Sequence, residues 1–513
     1  MRRLGRLCVA GAVAGTLAAG ATPAAASRGQ ESMFQDDSLL IFRPAAEVGR
    51  TLDTLRYLGV DRVRATVFWK DLAPNRTDAR RPSVNTGDPA VYPADGWARY
   101  DQLVRLATSR GIGVNFNVSG PVPVWARGRT SSAVFAEHFR PSPLEFGRFV
   151  EALGRRYSGV YRGAGGQLVP RVSYWSLWNE PNGIHFLGPV WQRSGGQWVE
   201  RSAVIYRGLL DAAWNSLVRT GHGPGTDTIL IGETSPQAKE QPAASRSMRP
   251  LRFIRALYCV GADLRPLRGR NAALRSCPTS PGGGGFAASH PGLFQATGYA
   301  HHPYELTLAP TTPSAVDAVS TADLPRLTST LDGIFRRYGN GRRLLIYNTE
   351  FGYESRPPNP LGVSLTRQAL YLNQAEFLTY RNPRVASFSQ FLLGDYSTAT
   401  LFHTGLLTSR GGLKPAFGAY RTPIWIPQTV SRSGRFRVWG LLRPGRRSGV
   451  RSAVIQFARS GRPFATVAGA NAASARGYVD RAVTVPSSGR IRIGWRDPAS
   501  GATIYSRAIP VFR

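Results

Sequence analysis

Residues 174–181 read Tyr-Trp-Ser-Leu-Trp-Asn-Glu-Pro, an apolar run that ends in a single acid, Glu180. A short apolar run bounded by turn residues is typical of a strand that is buried on both faces, as in a parallel sheet. In closed parallel sheets the reactive side chains lie where the strands end. The stretch therefore predicts a parallel-strand fold with a chemically active carboxylate at one edge.

Similar apolar runs recur along the chain and alternate with amphipathic stretches. We predict strands near 31–35, 61–67, 112–118, 172–178, 227–232, 296–301, 343–349 and 385–391. We predict helices near 46–58, 97–110, 144–157, 197–219, 248–258, 321–338 and 364–381. Eight such units favour an α/β fold of the (β/α)8 TIM-barrel type, over residues 27–423, rather than an open sheet. No Gly-x-Gly-x-x-Gly follows a predicted strand, which argues against a dinucleotide-binding fold.

The pattern changes after the prolines Pro423 and Pro427. From 428 to 513 the helical period gives way to short alternating runs separated by Gly, Pro and Ser. This spacing predicts a C-terminal all-β sandwich domain. Packing against the barrel and carbohydrate binding both fit such a domain, and we favour packing because no chemistry is evident in it.

The N-terminus has the pattern of a secretory signal peptide. A basic start is followed by the apolar stretch 7–21 and by three alanines that end at Ala26, after which we place the cleavage. No later segment has about 18 continuous apolar residues, so we expect a secreted protein without a membrane span. Because Cys8 lies in the signal, Cys259 and Cys277 remain, and in an oxidising compartment they most simply form one disulfide.

Charge is the most unusual feature of the composition. The 513 residues carry 65 Lys and Arg against 31 Asp and Glu, a net charge of +34 that is almost wholly arginine. Such a charge attracts acidic surfaces, and attraction to anionic cell-envelope glycans remains open. No nucleic-acid partner is predicted, because the arginines are spread along the chain without a basic helix or an aromatic-interleaved patch.

Two further acids close predicted strands and are candidate partners for Glu180. Glu233 ends Ile-Leu-Ile-Gly-Glu at the fifth strand, and Glu350 follows the seventh. Strand ends around a barrel mouth are neighbours, so position alone does not choose between the two.

In these residues the chain resembles the retaining (β/α)8 glycoside hydrolases of clan A, which include the cellulase-like and β-xylosidase-like families. Their Asn-Glu-Pro after the fourth strand and second Glu after the seventh match 179–181 and 349–352. Arg64 in the second strand matches the arginine that braces the nucleophile. His302-Pro303-Tyr304 after the sixth strand matches their His-x-Tyr element. The resemblance covers about residues 30–420 and selects Glu350 as the partner.

The resemblance implies hydrolysis of β-glycosidic bonds in an oligo- or polysaccharide by double displacement. Glu350 would be the nucleophile, held by Arg64 and Tyr304, and Glu180 the acid and then the base. Asn179 would bind the 2-hydroxyl of the sugar. The remaining predicted substrate contacts are His302, Trp125 and Trp178. The mechanism implies no cofactor and no metal, and we expect a monomer.

Several positions depart from the family pattern. The eighth strand lacks the tryptophan that often forms a sugar platform, leaving Phe391 as a substitute, and the end of the third strand at 115–121 lacks a histidine. The long insertions 71–96 and 260–295 are predicted to shape the site. A non-hydrolytic protein that binds acidic envelope glycans and a transglycosylase with the same carboxylate pair remain as alternatives.

Overall fold

A computed structural model of the chain describes residues 27–280, 284–398, 402–427, 430–444, 451–472, 474–497 and 500–513. The predicted signal peptide and its cleavage point lie outside these residues. Among the described residues no helix is long and apolar enough to cross a bilayer.

Eight parallel strands close into a barrel in chain order, each bonded to the next and the last to the first. The predicted TIM-barrel fold is therefore confirmed. The strands are β1 (Glu31–Gln35), β2 (Arg62–Phe68), β3 (Gly113–Ser119), β4 (Tyr174–Leu177), β5 (Thr228–Thr234), β6 (Gly298–His301), β7 (Leu345–Asn348) and β8 (Val385–Phe391).

Helices follow the strands and cover the outside of the barrel with their apolar faces. They are α1 (Ala45–Tyr57), α2 (Ala94–Ser109), α3 (Pro143–Arg156), α4 (Arg201–Arg219), α5 (Pro250–Leu257), α6 (Leu324–Arg337), α7 (Leu365–Arg381) and α8 (Pro415–Arg421). Shorter helices occupy Asp37–Leu40, Trp69–Leu72, Gly269–Leu274, Gly284–Ser289 and Pro291–Gln295.

One helix prediction is wrong at its start. Residues 197–200 belong to a hairpin of Trp191–Ser194 with Gln197–Glu200, and α4 begins only at Arg201. The turn between the two strands is Gly195-Gly196, with φ of +56° and +84°. A Gly-Gly pair flanked by strand residues is a hairpin signal that the helical pattern of the following residues obscured.

Antiparallel sheets follow the barrel, as predicted for the C-terminal part. Their strands are β9 (Ile424–Trp425), β10 (Arg435–Leu441), β11 (Ser452–Ala458), β12 (Ala465–Asn471), β13 (Tyr478–Thr484), β14 (Gly489–Arg496), β15 (Thr503–Tyr505) and β16 (Ile509–Val511). They form one sheet of β9, β10 and β13 and a second of β11, β12, β14, β15 and β16. The exact boundary between the two parts of the chain stays a prediction.

The first of these sheets packs on α7. Trp439 is buried between Phe377 and Tyr380 of that helix, with ring centroids 5.5 Å away in both cases. Arg443 forms a buried ion pair with Glu376, also in α7. The sheet therefore shares an apolar and charged interface with the barrel.

The two cysteines after α5 lie at disulfide distance, with 2.06 Å between the sulfurs of Cys259 and Cys277. They join the end of the α5 segment to the insertion that follows it.

Candidate active site

A cavity of about 880 Å³ opens at the carboxyl ends of the barrel strands. Strand ends supply its polar floor, and the loops after β4, β6 and β8 supply its walls. The floor includes Asn179, Glu180 and Glu350, and Tyr304 lines the cavity beside them. This is the face on which barrel enzymes place their reactive groups.

The backbone after β4 is bent so that Glu180 faces the cavity. Trp178 has φ of +74° and Glu180 has φ of +39°, a region that residues with side chains rarely adopt. The backbone N–H of Trp178 donates to Val118 O (2.9 Å), and that of Glu180 donates to Glu233 O (3.0 Å). Such local strain costs about 1–3 kcal/mol per residue, persists only where neighbours enforce it, and is concentrated at functional sites.

Glu350 is held by two donors, as the resemblance implied. Arg64 Nη1 donates to Glu350 Oε1 (2.7 Å), and the Tyr304 hydroxyl donates to Oε2 (3.2 Å). Arg64 is fully buried, and its other nitrogen donates to Asn179 Oδ1 (2.7 Å) and Glu233 Oε2 (3.0 Å). One arginine thus fixes the positions of all three side chains from beneath the cavity.

Glu180 is linked to a third, buried carboxylate through His302. The imidazole Nδ1 lies 2.9 Å from Glu180 Oε1, and Nε2 lies 2.7 Å from Glu233 Oε2. Glu233 Oε2 also accepts from the Thr349 hydroxyl (2.8 Å). Glu233 therefore serves as a buried anchor for the arginine and the histidine, and it does not line the cavity.

A β-bulge in β5 aims Glu233 at this position. The register of β5 against β6 shifts between Gly232 and Thr234, so that Glu233 is the extra residue. Gly232 has φ of +100°, and a Cβ there would lie 2.5 Å from the Tyr299 ring. Bulges near active sites commonly redirect one side chain in this way.

The buried groups are held in charged forms by one another. Burial raises the pKa of Glu233, but the charge of Arg64 and the hydrogen bond from His302 outweigh it and set that pKa at about 2. Burial lowers the pKa of His302, but the charge of Glu350 and hydrogen bonds to Glu180 and Glu233 raise it to about 10. His302 is therefore an imidazolium that donates to both carboxylates.

The neighbours of Glu350 have opposing effects on the pKa of its carboxyl group. Burial raises the pKa of its carboxyl, with Glu180 and Glu233 adding to the rise and His302 and Arg64 opposing it. Two cations and three carboxylates make up the cluster, so one proton on the pair Glu180 and Glu350 brings it to neutrality.

Glu180 and Glu350 face each other across the floor of the cavity. One oxygen of Glu180 and one of Glu350 lie within 4.8 Å of each other and of His302 Nδ1. By distance alone these three groups could hold a cation. An imidazolium with both nitrogens donating has no lone pair for a metal, so the donor set favours proton chemistry instead.

The structure does not bring the two tryptophans predicted as substrate contacts to the cavity. Trp178 is buried against Phe146, with ring centroids 5.2 Å apart, and its indole donates to Phe186 O (2.9 Å). Trp125 packs on Trp69, and its indole donates to Pro74 O (3.0 Å). Neither tryptophan lines the cavity. These side chains near the strand ends support the strained loop and do not face solvent.

Other expectations about the site also change. Arg64 and His302 are buried beneath the floor, where they contact carboxylates. No described residue of 71–96 or 260–295 lines the cavity. Phe391, the predicted substitute for the absent tryptophan, does line the cavity.

Sequence reasoning missed several lining residues. Gln35 accepts a hydrogen bond from Arg64, and Asp37 lines the cavity beside it. Their position at the carboxyl end of β1 and just beyond it was a signal that could have found them. Glu305 is a further lining acid, and burial together with Asp323 raises its pKa to about 7. No arginine or lysine lines the cavity in the part of the chain that the structure describes, so the basic surface does not extend into it.

No protein-family model and no curated protein matches the chain. Among solved structures, GH5_18 from Streptomyces cattleya in complex with GlcNAc shares 16% identity at a TM-score of 0.47, over 79% of this chain and 83% of that one. A calcium-binding mutant of Bacteroides uniformis β-glucuronidase 2 shares 9% identity at a TM-score of 0.44, over 94% of this chain and 45% of that one. The exo-β-1,4-mannosidase Op5Man5 from Opitutaceae bacterium strain TAV5 shares 12% identity at a TM-score of 0.41, over 77% of this chain and 61% of that one. The chain spans about half the length of the β-glucuronidase, and its own fold rests on the sheet topology described above.

Proposed function

We propose that this chain is a retaining glycoside hydrolase that cleaves β-glycosidic bonds by double displacement. The observation that supports the proposal is the pair Glu180 and Glu350, with carboxylate oxygens within 4.8 Å of each other at the floor of an open cavity. Retaining enzymes hold their two carboxyl groups about 5–5.5 Å apart, whereas inverting enzymes need about 6.5–9.5 Å to admit a water.

The roles follow from the partners of each carboxylate. Glu350 receives Arg64 and Tyr304, donors that favour its anionic form and orient one oxygen for attack on the anomeric carbon. Among the described residues, only His302 contacts the Glu180 carboxylate through a side-chain hydrogen bond, and Glu180 is the group through which a proton passes to the leaving oxygen. The Glu350–carbon bond forms as the glycosidic C–O bond breaks, and Glu180 gives its proton to the departing oxygen.

The second half of the reaction uses the same groups in reverse. Once glycosylated, Glu350 carries no negative charge, and Glu180 takes a proton from a water that attacks the anomeric carbon. Asn179 lies next to both acids, its side-chain oxygen held by Arg64, so its amide N–H remains for the sugar 2-hydroxyl. We also propose that the protein is exported, on the strength of the N-terminal pattern and the cysteine pair.

Activity assays on panels of aryl β-glycosides and β-linked polysaccharides test this function. We expect Glu180→Gln and Glu350→Gln to lose most of the wild-type turnover, while Glu354→Gln, outside the cavity lining, keeps it. Unchanged activity in both site variants would contradict the assignment.

Azide rescue then separates the two roles. Azide should restore turnover to Glu350→Gly with a product of inverted configuration, and to Glu180→Ala with a product of retained configuration. The opposite pattern would exchange the nucleophile and the acid/base.

A further inference from the structure

The cavity has an apolar wall above its polar floor. The wall consists of six side chains from the loops after β4 and β6 and from the end of β8 and its loop: Phe186, Leu306, Leu308, Phe391, Tyr396 and Phe402. Four of these are among the exposed large hydrophobic residues: Phe186 is 36% exposed, Leu306 39%, Leu308 53% and Phe402 45%. Exposed apolar side chains that gather on one surface, rather than lying singly, mark a binding site.

The part of the wall that Leu306 and Leu308 form is unsuited to further sugar rings. Aromatic faces stack on pyranoses, but leucine side chains offer neither a ring face nor a hydrogen bond. A sugar hydroxyl buried against Leu306 or Leu308 without a partner would cost about 1–3 kcal/mol. An extended polysaccharide would bury several such hydroxyls there.

The volume leaves room for a second, non-sugar group. A hexopyranose has about twelve non-hydrogen atoms and fills roughly 360 Å³ even at about 30 Å³ per atom, the share of a liquid water. The cavity holds about 880 Å³, so more than half of it lies beyond the sugar. The carboxylate pair at the floor fixes where the sugar sits, and the wall begins beside the proposed acid: a Cβ on Gly183 would lie 3.2 Å from the Phe186 ring and 3.6 Å from Glu180 Cβ. Because the acid faces the leaving oxygen, this part of the wall is on the side of the leaving group.

We propose that the apolar wall is the subsite for an apolar aglycone, so that the preferred substrate is a β-glycoside of an alkyl or aryl alcohol. This inference rests on the proposed function and names its substrate class. The lining carries Asp37, Glu180, Glu305 and Glu350 and, among the described lining residues, one histidine, His185, but no arginine or lysine to pair with a sugar carboxylate. The sugar is accordingly a neutral one rather than a uronic acid.

Paired substrates test the inference. Methyl, octyl and 4-nitrophenyl β-glycosides of glucose, mannose, galactose and xylose, together with β-linked oligosaccharides, are compared by kcat/KM. We expect the octyl glycoside of the accepted sugar to exceed its methyl glycoside by about tenfold or more. Leu308→Ser and Phe186→Ser should each lower that octyl-to-methyl ratio several-fold.

Leu361→Ser is the matched control, because Leu361 is 81% exposed and lies outside the cavity lining. It should leave the ratio unchanged. Oligosaccharides or methyl glycosides cleaved as well as octyl glycosides, or a ratio unaffected in the wall variants, would overturn the aglycone subsite while leaving the hydrolase intact.

A binding measurement distinguishes failure of the subsite from failure of the function. The neutral fluorophore N-phenyl-1-naphthylamine should bind the wild type, be displaced by octyl but not methyl glycosides, and bind Leu308→Ser more weakly. If no glycoside is cleaved, the hydrolase proposal fails, and this binding pattern alone still supports an apolar ligand site. Absence of binding would overturn the subsite as well.

Discussion

At the scale of the residue, the site is a charge-balanced cluster arranged in two layers. Glu180 and Glu350 face the cavity, while Arg64, His302 and Glu233 lie buried beneath them. A buried carboxylate without partners would be costly, and here each one receives at least one charged donor. The lower layer therefore holds the upper pair in place and sets its total charge.

The buried histidine makes stability depend on pH in a predictable direction. In the unfolded chain His302 titrates at about 6.5, and in the fold its pKa rises to about 10. Its contribution is therefore fully present below about pH 6.5 and is lost as pH rises toward 10. Urea unfolding between pH 6 and 10.5 should show a fall in unfolding free energy that is smaller in His302→Gln.

The control for this measurement is His290→Gln. His290 is partly exposed and pairs with Asp211 outside the site. The unfolding free energy of His290→Gln should depend on pH in the same way as that of the wild type. Identical pH slopes in the wild type and His302→Gln would contradict a cationic His302.

At the scale of the element, strand ends and one bulge place the cluster. The strands and most helices could be predicted from the sequence, because burial on both faces makes the barrel strands continuous apolar runs. Glu180, Glu350, Arg64 and Tyr304 were found because each stands at or near a strand end in a recognisable motif. The anchoring role of Glu233 could not be predicted, since it depends on the register shift in β5.

One strand of the C-terminal sheets could not be predicted from its own residues. Ala465–Asn471 is mostly exposed and rich in small residues, so it shows almost no alternation of apolar and polar positions. Its place in the sheet depends on pairing with β11. The apolar wall was missed for a similar reason, because Phe186, Leu306 and Phe402 come together only through loop geometry.

The bulge gives a prediction at this scale. Gly232→Ala adds a Cβ at φ of +100° and 2.5 Å from the Tyr299 ring, so we expect a loss of about 2 kcal/mol or more in unfolding free energy. Displacement of Glu233 should also lower kcat. Thermal unfolding measures the loss of stability, and turnover measures the fall in kcat. Gly223→Ala, whose Cβ meets open space, should change neither, and an unaffected Gly232→Ala would contradict the anchoring role of the bulge.

At the scale of the whole molecule, the C-terminal sheets are packed on the barrel through buried groups. Arg443 pairs with Glu376 of α7 and lies over the Tyr420 ring of α8, 4.2 Å from its centroid. Arg421 pairs with Asp497 at 3.2 Å, also across the two parts of the chain. These contacts support a packing role for the C-terminal sheets, which stabilise the outer helices of the barrel.

A double-mutant cycle tests this interface. Burial raises the pKa of Glu376 to about 7 even beside Arg443, so loss of the arginine leaves a buried carboxyl without its donor. Arg443→Met should cost about 3–5 kcal/mol of unfolding free energy. Glu376→Gln should cost less, because its amide oxygen still accepts from Arg443, and the double variant should cost less than the sum.

The exposed pair Arg437 and Asp480 supplies the comparison. Both side chains are partly in solvent, so Arg437→Met should cost less than about 1 kcal/mol. Equal costs at the two sites, or additive costs in the cycle, would contradict a coupled interface between the barrel and the sheets.

The most direct test of the proposed reaction is to trap its covalent intermediate. A 2-deoxy-2-fluoro-β-glycosyl fluoride of the accepted sugar slows both steps but gives a good leaving group, so the glycosyl-enzyme accumulates. Peptide mass spectrometry of the inactivated protein should find the sugar on Glu350, and Glu350→Gln should remain unlabelled. Label on Glu180 or Glu233, or turnover with inversion and no covalent adduct, would contradict Glu350 as the nucleophile of a retaining enzyme.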